Sequence, residues 1–164
     1  MSLTFLLGGA RCGKSALAVE LASQWDGPVT FIATGEAGDD EMAERIRRHR
    51  EERPAAWMTI EEPVELASAL ETAPPDAAVV VDCLSLWVAN ILDDDVDPRN
   101  ARAVAAAKGR ARTIVVSNEV GLGVVPVSEL GRRYRDVLGR VNAQWAAAAD
   151  EAAFVVAGKM LRLQ

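Results

Sequence analysis

The chain has 164 residues, 50% of them hydrophobic and 26% charged, with a net charge of −6 at neutral pH. That length suits one domain, residues 1–164, and the acidic balance disfavours a nucleic acid partner. No apolar run reaches the length of a membrane span, and the N-terminus enters a strand without a signal-peptide pattern, so the expected location is the cytoplasm.

Residues 3–7 (Leu-Thr-Phe-Leu-Leu) read as a buried strand, and residues 14–25 as a helix. Between them lie Gly8, Gly9, Ala10, Arg11, Cys12, Gly13, Lys14 and Ser15, which fit the phosphate-binding loop pattern without a mismatch. The glycines allow a tight turn that aims successive N–H groups at phosphate oxygens, and the helix N-terminus adds partial positive charge. Lys14 is expected at the β- and γ-phosphates of a nucleoside triphosphate, and the Ser15 hydroxyl on Mg²⁺.

Further strands are expected at 29–33, 77–81, 113–117 and 153–157, short and apolar on both faces, with an alternating edge strand at 160–163. Helices are expected at 39–53, 64–71, 86–92, 99–108 and 128–150. Pro74-Pro75 and the acidic turn through Asp97-Pro98 read as surface loops. Strands alternating with helices predict an open α/β sheet with ligands at the carboxyl ends of its strands. Cys12 and Cys83 have no metal-ligand spacing and are expected to be free thiols near that end.

Asp82 closes the run Val79-Val80-Val81, where a carboxylate that orients metal-bound water is expected; a simple turn residue fits the same position. The segment 39–54 begins with acids and ends with bases, as a helix macrodipole favours. Met42, Ile46, His49 and Arg53 share one face of it. Two readings fit His49, the only histidine: an incidental residue on a salt-bridged helix, or a nucleophile toward a nucleotide phosphorus. In the second, the surrounding arginines favour the neutral ring that attack needs and stabilise charge on the phosphoryl oxygens. Asn118 and Glu119, after the fourth predicted strand, fall on the ligand side as contacts to substrate or metal. Gly121 and Gly123 shape the loop beyond them.

Taken together, these segments resemble the bifunctional adenosylcobinamide kinase/adenosylcobinamide-phosphate guanylyltransferase family of cobalamin synthesis. The matching stretches are the phosphate loop, Phe31-Ile-Ala-Thr34, Asp39-Asp-Glu-Met-Ala43, Arg45-Ile46, His49, Arg53-Pro54, Trp57, Asp82-Cys-Leu-Ser85, Ser117-Asn-Glu-Val-Gly-Leu-Gly123, Pro126, Tyr134-Arg-Asp136, Gly139-Arg-Val-Asn142 and Ala147-Ala-Ala-Asp150. The resemblance implies a RecA-like P-loop NTPase fold, mostly parallel with helices on both faces. It implies phosphorylation of adenosylcobinamide, then transfer of GMP from GTP to the phosphate with release of pyrophosphate, through a guanylylated His49. Implied nucleotide contacts are Gly8 to Ser15, then Thr34, Gly35 and Glu36, then Arg50, Glu51, Glu52 and Arg53, then Glu61 and Asp82. Mg²⁺ on Ser15 and Asp82, GTP and ATP as substrates, and a homotrimer with its site near a subunit boundary are also implied.

The chain departs from the family pattern at three points. Cys12 stands where serine is usual, Asp82 replaces the glutamate of some members, and the stretch 92–113 is short. A guanylyltransferase without kinase activity, or a GTP-binding regulatory protein, are the alternatives.

Overall fold

The computed structural model describes residues 1–38, 40–51 and 53–163, apart from the side chains of Met42, Arg45, Arg48 and His49. Among the described residues, seven strands form one sheet: β1 (Ser2–Gly8), β2 (Val29–Ala33), β3 (Met58–Glu61), β4 (Ala78–Asp82), β5 (Arg112–Asn118), β6 (Glu151–Val156) and β7 (Lys159–Leu163). Their order is β3-β2-β4-β5-β1-β6-β7. Every pairing is parallel except β6 with β7, the hairpin at one edge. Helices α1 (Lys14–Ala22), α2 (Asp40–Glu51), α3 (Leu66–Thr72), α4 (Leu84–Asn90), α5 (Val96–Lys108) and α6 (Glu129–Ala148) connect the strands.

The central strands are apolar on both faces because both faces are covered. Alternate residues separate into two cores, following the period of two along a strand. Leu3, Phe5, Ile32, Val79, Val81 and Val115 face α3, α4, α5 and α6. Leu6, Phe31, Val80, Ile114, Val116 and Val155 face the other way, where Ala18 and Ala22 of α1 lie against them. Small alanines let α1 approach the sheet closely. The longest helix, α6, starts at Ser128, whose Oγ accepts the Gly131 N–H at 3.1 Å. It buries Val137, Leu138, Val141 and Trp145, one stripe of helical period. Trp145 Nε1 donates to Asn100 Oδ1 of α5 at 2.7 Å, so the indole keeps a partner inside the core. Arg110 closes the far end of the sheet, donating to the carbonyls of Leu70 (2.7 Å), Ala73 (3.2 Å), Pro74 and Ala77 (3.4 Å).

The predicted strand 29–33 appears with those bounds, and the other four and the edge strand appear with ends shifted by a residue or two. Strand β3 does not follow from the sequence. It is four residues long at the sheet edge, and its Met58 and Glu61 are exposed, so it lacks an apolar run. The fourth predicted helix begins at Leu84 rather than residue 86, directly after β4. The fifth begins at Val96, which puts Asp97 and Pro98 inside its first turn instead of a surface loop. Proline is tolerated there because first-turn N–H groups have no intrahelical acceptor. The short stretch 92–113 is occupied by α5, with Val96, Asn100, Ala103 and Ala107 buried.

Candidate nucleotide site

Strands β1 to β5 are parallel, so their carboxyl ends share one edge of the sheet. A cleft of about 720 Å³ opens there, lined by Lys14, Ser15, Gly35, Glu36, Arg53, Glu61, Asp82 and Asn118 among others. Ligands of open α/β sheets bind at this edge because the chain crosses there between helix layers.

The phosphate loop turns through two left-handed residues, Arg11 (φ 56°) and Gly13 (φ 99°). This conformation gathers backbone N–H groups into a concavity suited to an anion. Gly8 cannot carry a side chain: a Cβ there would lie 2.4 Å from the Val155 carbonyl oxygen and 2.6 Å from Cys12 Sγ. The β6–β7 turn supports the loop from outside, with the Gly158 N–H donating to the Cys12 carbonyl at 2.8 Å. Lys14 is 7% exposed, and its Nζ donates to the Gly9 carbonyl at 2.8 Å. The ammonium is thereby folded over the loop, where phosphate charge would gather.

Asp82 ends β4 across from the loop. Its position depends on Thr34, whose hydroxyl accepts the Cys83 N–H at 2.9 Å and donates to the Cys83 carbonyl at 2.7 Å. Thr34 N–H also bonds the Asp82 carbonyl at 3.3 Å, and Asn90 Nδ2 donates to the Thr34 carbonyl at 2.8 Å. Thr34 is fully buried and held in these bonds, whereas Gly35 and Glu36 open onto the cleft. Gly35 lies close to apolar side chains. A Cβ there would meet Leu86 Cδ1 at 3.2 Å and Ile46 Cδ1 at 3.6 Å, the apolar wall of the cleft. Leu86 does not stand out in the sequence, being one apolar residue on a helix, whereas Ile46 lies on the helix face that carries His49 and Arg53.

Arg53 stacks its guanidinium 3.5 Å from the Phe31 ring centroid. Burial lowers its pKa, the negative charge of Asp82 opposes that, and Arg50 adds to the lowering; arginine nevertheless remains a cation. Its Nε is buried without a hydrogen-bond partner among the described residues. Burial pushes the Cys83 thiol up to about 11, with Asp82 adding to the shift and Ser85, the Leu86 backbone and Lys14 opposing it. Both cysteines are free. Arg50 pairs with Glu61, joining α2 to the end of β3, while Glu51 pairs with Arg47 on the surface of α2. Ala10, Arg11 and Cys12 belong to the loop. Glu52 and the His49 side chain lie outside the described residues; the backbone of His49 is within α2, one turn after the cleft residue Ile46.

Solved structures share this architecture. The flagellar accessory protein FlaH from Methanocaldococcus jannaschii superposes with a TM-score of 0.57 at 16% identity, covering 97% of this chain and 74% of that one. The RadB recombinase gives 0.54 at 16% identity, covering 93% and 73%. The fold is that of RecA-like P-loop NTPases, as the sequence predicts. Sequence relatives are nearer. Bifunctional adenosylcobalamin biosynthesis protein CobP of Pseudomonas aeruginosa is 45% identical over 166 residues, covering 97% of this chain and 95% of the relative. Protein CobU of Escherichia coli, with the same description, is 39% identical over 175 residues, covering 95% and 96%. The family model for cobinamide kinase / cobinamide phosphate guanyltransferase matches residues 4–163. The chain therefore belongs to the cobinamide kinase/cobinamide phosphate guanyltransferase family.

Proposed function

We propose that this chain, acting as one catalytic domain over residues 1–164, phosphorylates adenosylcobinamide and then transfers GMP from GTP to the resulting phosphate. The observation that carries this reading is the convergence of Lys14, Ser15, Arg53 and Asp82 on one cleft at the carboxyl ends of the strands. The family membership supplies the substrate class.

In the kinase step the aminopropanol hydroxyl oxygen bonds the γ-phosphorus of ATP or GTP and releases its proton to water, the bond from that phosphorus to the β-phosphate bridging oxygen breaks, and the nucleoside diphosphate leaves. The loop amides cradle the inner phosphates, Lys14 reaches the β- and γ-phosphates, and Arg53 adds positive charge from the opposite wall. In the second reaction His49 attacks the α-phosphorus of GTP and pyrophosphate departs. The cobinamide phosphate oxygen then displaces the imidazole, giving adenosylcobinamide-GDP. Dividing the transfer this way replaces one hard step by two easier ones. Support for His49 comes from its place on α2 with Ile46, which reaches the cleft.

Mg²⁺ fits the residues present. Among the described residues, no protein group bonds the Ser15 hydroxyl or the Asp82 carboxylate, and no cluster of three or more acidic, His or Cys ligands occurs. A hard cation held by one hydroxyl, one carboxylate and phosphate oxygens suits that donor set, and when bound it neutralises charge on the β- and γ-phosphates. The Cys12 thiol supplies no oxygen donor, so metal contact falls to Ser15 and Asp82.

A homotrimer, residence in the cytoplasm and the absence of a nucleic acid partner complete the proposal. Among the described residues no helix is long and apolar enough to cross a membrane. Incubation with α-³²P-GTP and Mg²⁺ followed by denaturing electrophoresis tests the covalent step. A labelled band, labile to acid, stable to base and absent in His49→Ala, is expected; label in that variant refutes the nucleophile. Supplying adenosylcobinamide and its phosphate separately tests the kinase step, and use of the phosphate alone refutes it. Light scattering of the purified chain checks the trimer.

A further inference from the structure

Strand β5 lies between the strand that feeds the phosphate loop and the strand that ends at Asp82. Its register pairs Asn118 with Gly8 on one side and Val116 with Asp82 on the other. Asn118 therefore extends two residues beyond the level of Asp82, into the gap between that carboxylate and the loop. It lines the same cleft as Lys14, Ser15 and Asp82.

Its backbone is held from two directions. The Asn118 carbonyl accepts Asn142 Nδ2 at 3.1 Å, and the next residue, Glu119, donates its N–H to the Gly8 carbonyl at 3.0 Å. Asn142 is fixed in turn, accepting the buried Ser117 hydroxyl on its Oδ1 at 2.6 Å. The Asn118 side-chain amide, by contrast, has no hydrogen-bond partner among the described residues. A structural asparagine closing a strand would use its amide on nearby backbone; this one is braced at the main chain and left open toward the cleft.

The geometry points to Asn118 as a catalytic residue whose side-chain N–H donates to an oxygen of the terminal phosphate of the bound nucleoside triphosphate. The loop amides and the α1 N-terminus serve the inner phosphates. A donor on the Asp82 side of the cleft meets the γ-phosphate, where Ser15 and Asp82 would share a cation. A neutral amide suits this position. A carboxylate would repel the phosphate, and an ammonium would compete with the cation. Asn142 is then a positioning residue that keeps the strand end in place.

This inference rests on the nucleotide reading of the cleft, and the test separates the two. Affinities of the full-length protein for fluorescent GTP and GDP are measured with Mg²⁺, for the parent, Asn118→Ala, Asn118→Asp and Lys14→Ala. Loss of one hydrogen bond to a charged group predicts about tenfold weaker GTP binding in Asn118→Ala, with GDP affinity unchanged. Asn118→Asp, nearly identical in shape, loses more for GTP and serves if the alanine variant is poorly folded. Lys14→Ala weakens both nucleotides. If Lys14→Ala binds both like the parent, the cleft is not the nucleotide site and both readings fall. If Lys14→Ala loses both while the Asn118 variants bind GTP and GDP like the parent, or weaken them equally, the Asn118 assignment alone is refuted.

Discussion

Replacing Thr34 by valine keeps the shape of the side chain but removes both hydrogen bonds to Cys83. The two backbone groups are affected differently. The Cys83 carbonyl still accepts the Trp87 N–H at 3.2 Å, whereas the Cys83 N–H has no other acceptor among the described residues. One orphaned buried donor costs about 1–3 kcal/mol. For a chain of this size that lowers the melting temperature by roughly 2–12 °C. Thr34→Ser keeps the hydroxyl and loses only a buried methyl, about 1 kcal/mol. Because Cys83 directly follows Asp82, Thr34→Val should also weaken Mg²⁺-dependent GTP binding, and Thr34→Ser should largely restore it. Thermal and urea unfolding, with fluorescent GTP titration of the same samples, checks both effects. A valine variant that melts like the parent yet loses GTP would refute the reasoning, since the hydroxyl would then be serving the ligand and not the strand end.

Cys83 gives a pH dependence. Its folded-state pKa of about 11 lies above the ordinary 9.0, so the unfolded chain ionises first, and stability falls as pH rises between those values. The loss is up to roughly 3 kcal/mol; urea unfolding from pH 8 to 11 should show it in the parent and lack that component in Cys83→Ala. The Arg50–Glu61 pair is about 60% exposed on both sides, so Glu61→Gln should change stability by less than about 1 kcal/mol, measured by the same unfolding assay. Gly8→Ala places a methyl against the Val155 carbonyl and Cys12 Sγ. Overpacking of about 1–3 kcal/mol and a displaced phosphate loop should follow, read as a lower melting temperature together with weakened GTP binding.

The sequence by itself determined the parts of the site that local chemistry dictates. A loop with glycine at 8, 9 and 13 and the Lys14-Ser15 pair can be read from spacing, because close approach at Gly8 and a left-handed turn at Gly13 leave little room for other residues. Buried parallel strands are legible for a similar reason, since covering both faces leaves only apolar residues in them. Strand β3 was not legible, because an edge strand needs no apolar run when its neighbour supplies the hydrogen bonds. Tertiary structure alone decided which strand ends stand side by side. Insertion of β5 between β1 and β4 sets Asn118 between the loop and Asp82, and packing turns Thr34 into the β4 backbone instead of the cleft. Strand order is fixed by contacts between residues far apart in the chain, and no local pattern encodes it.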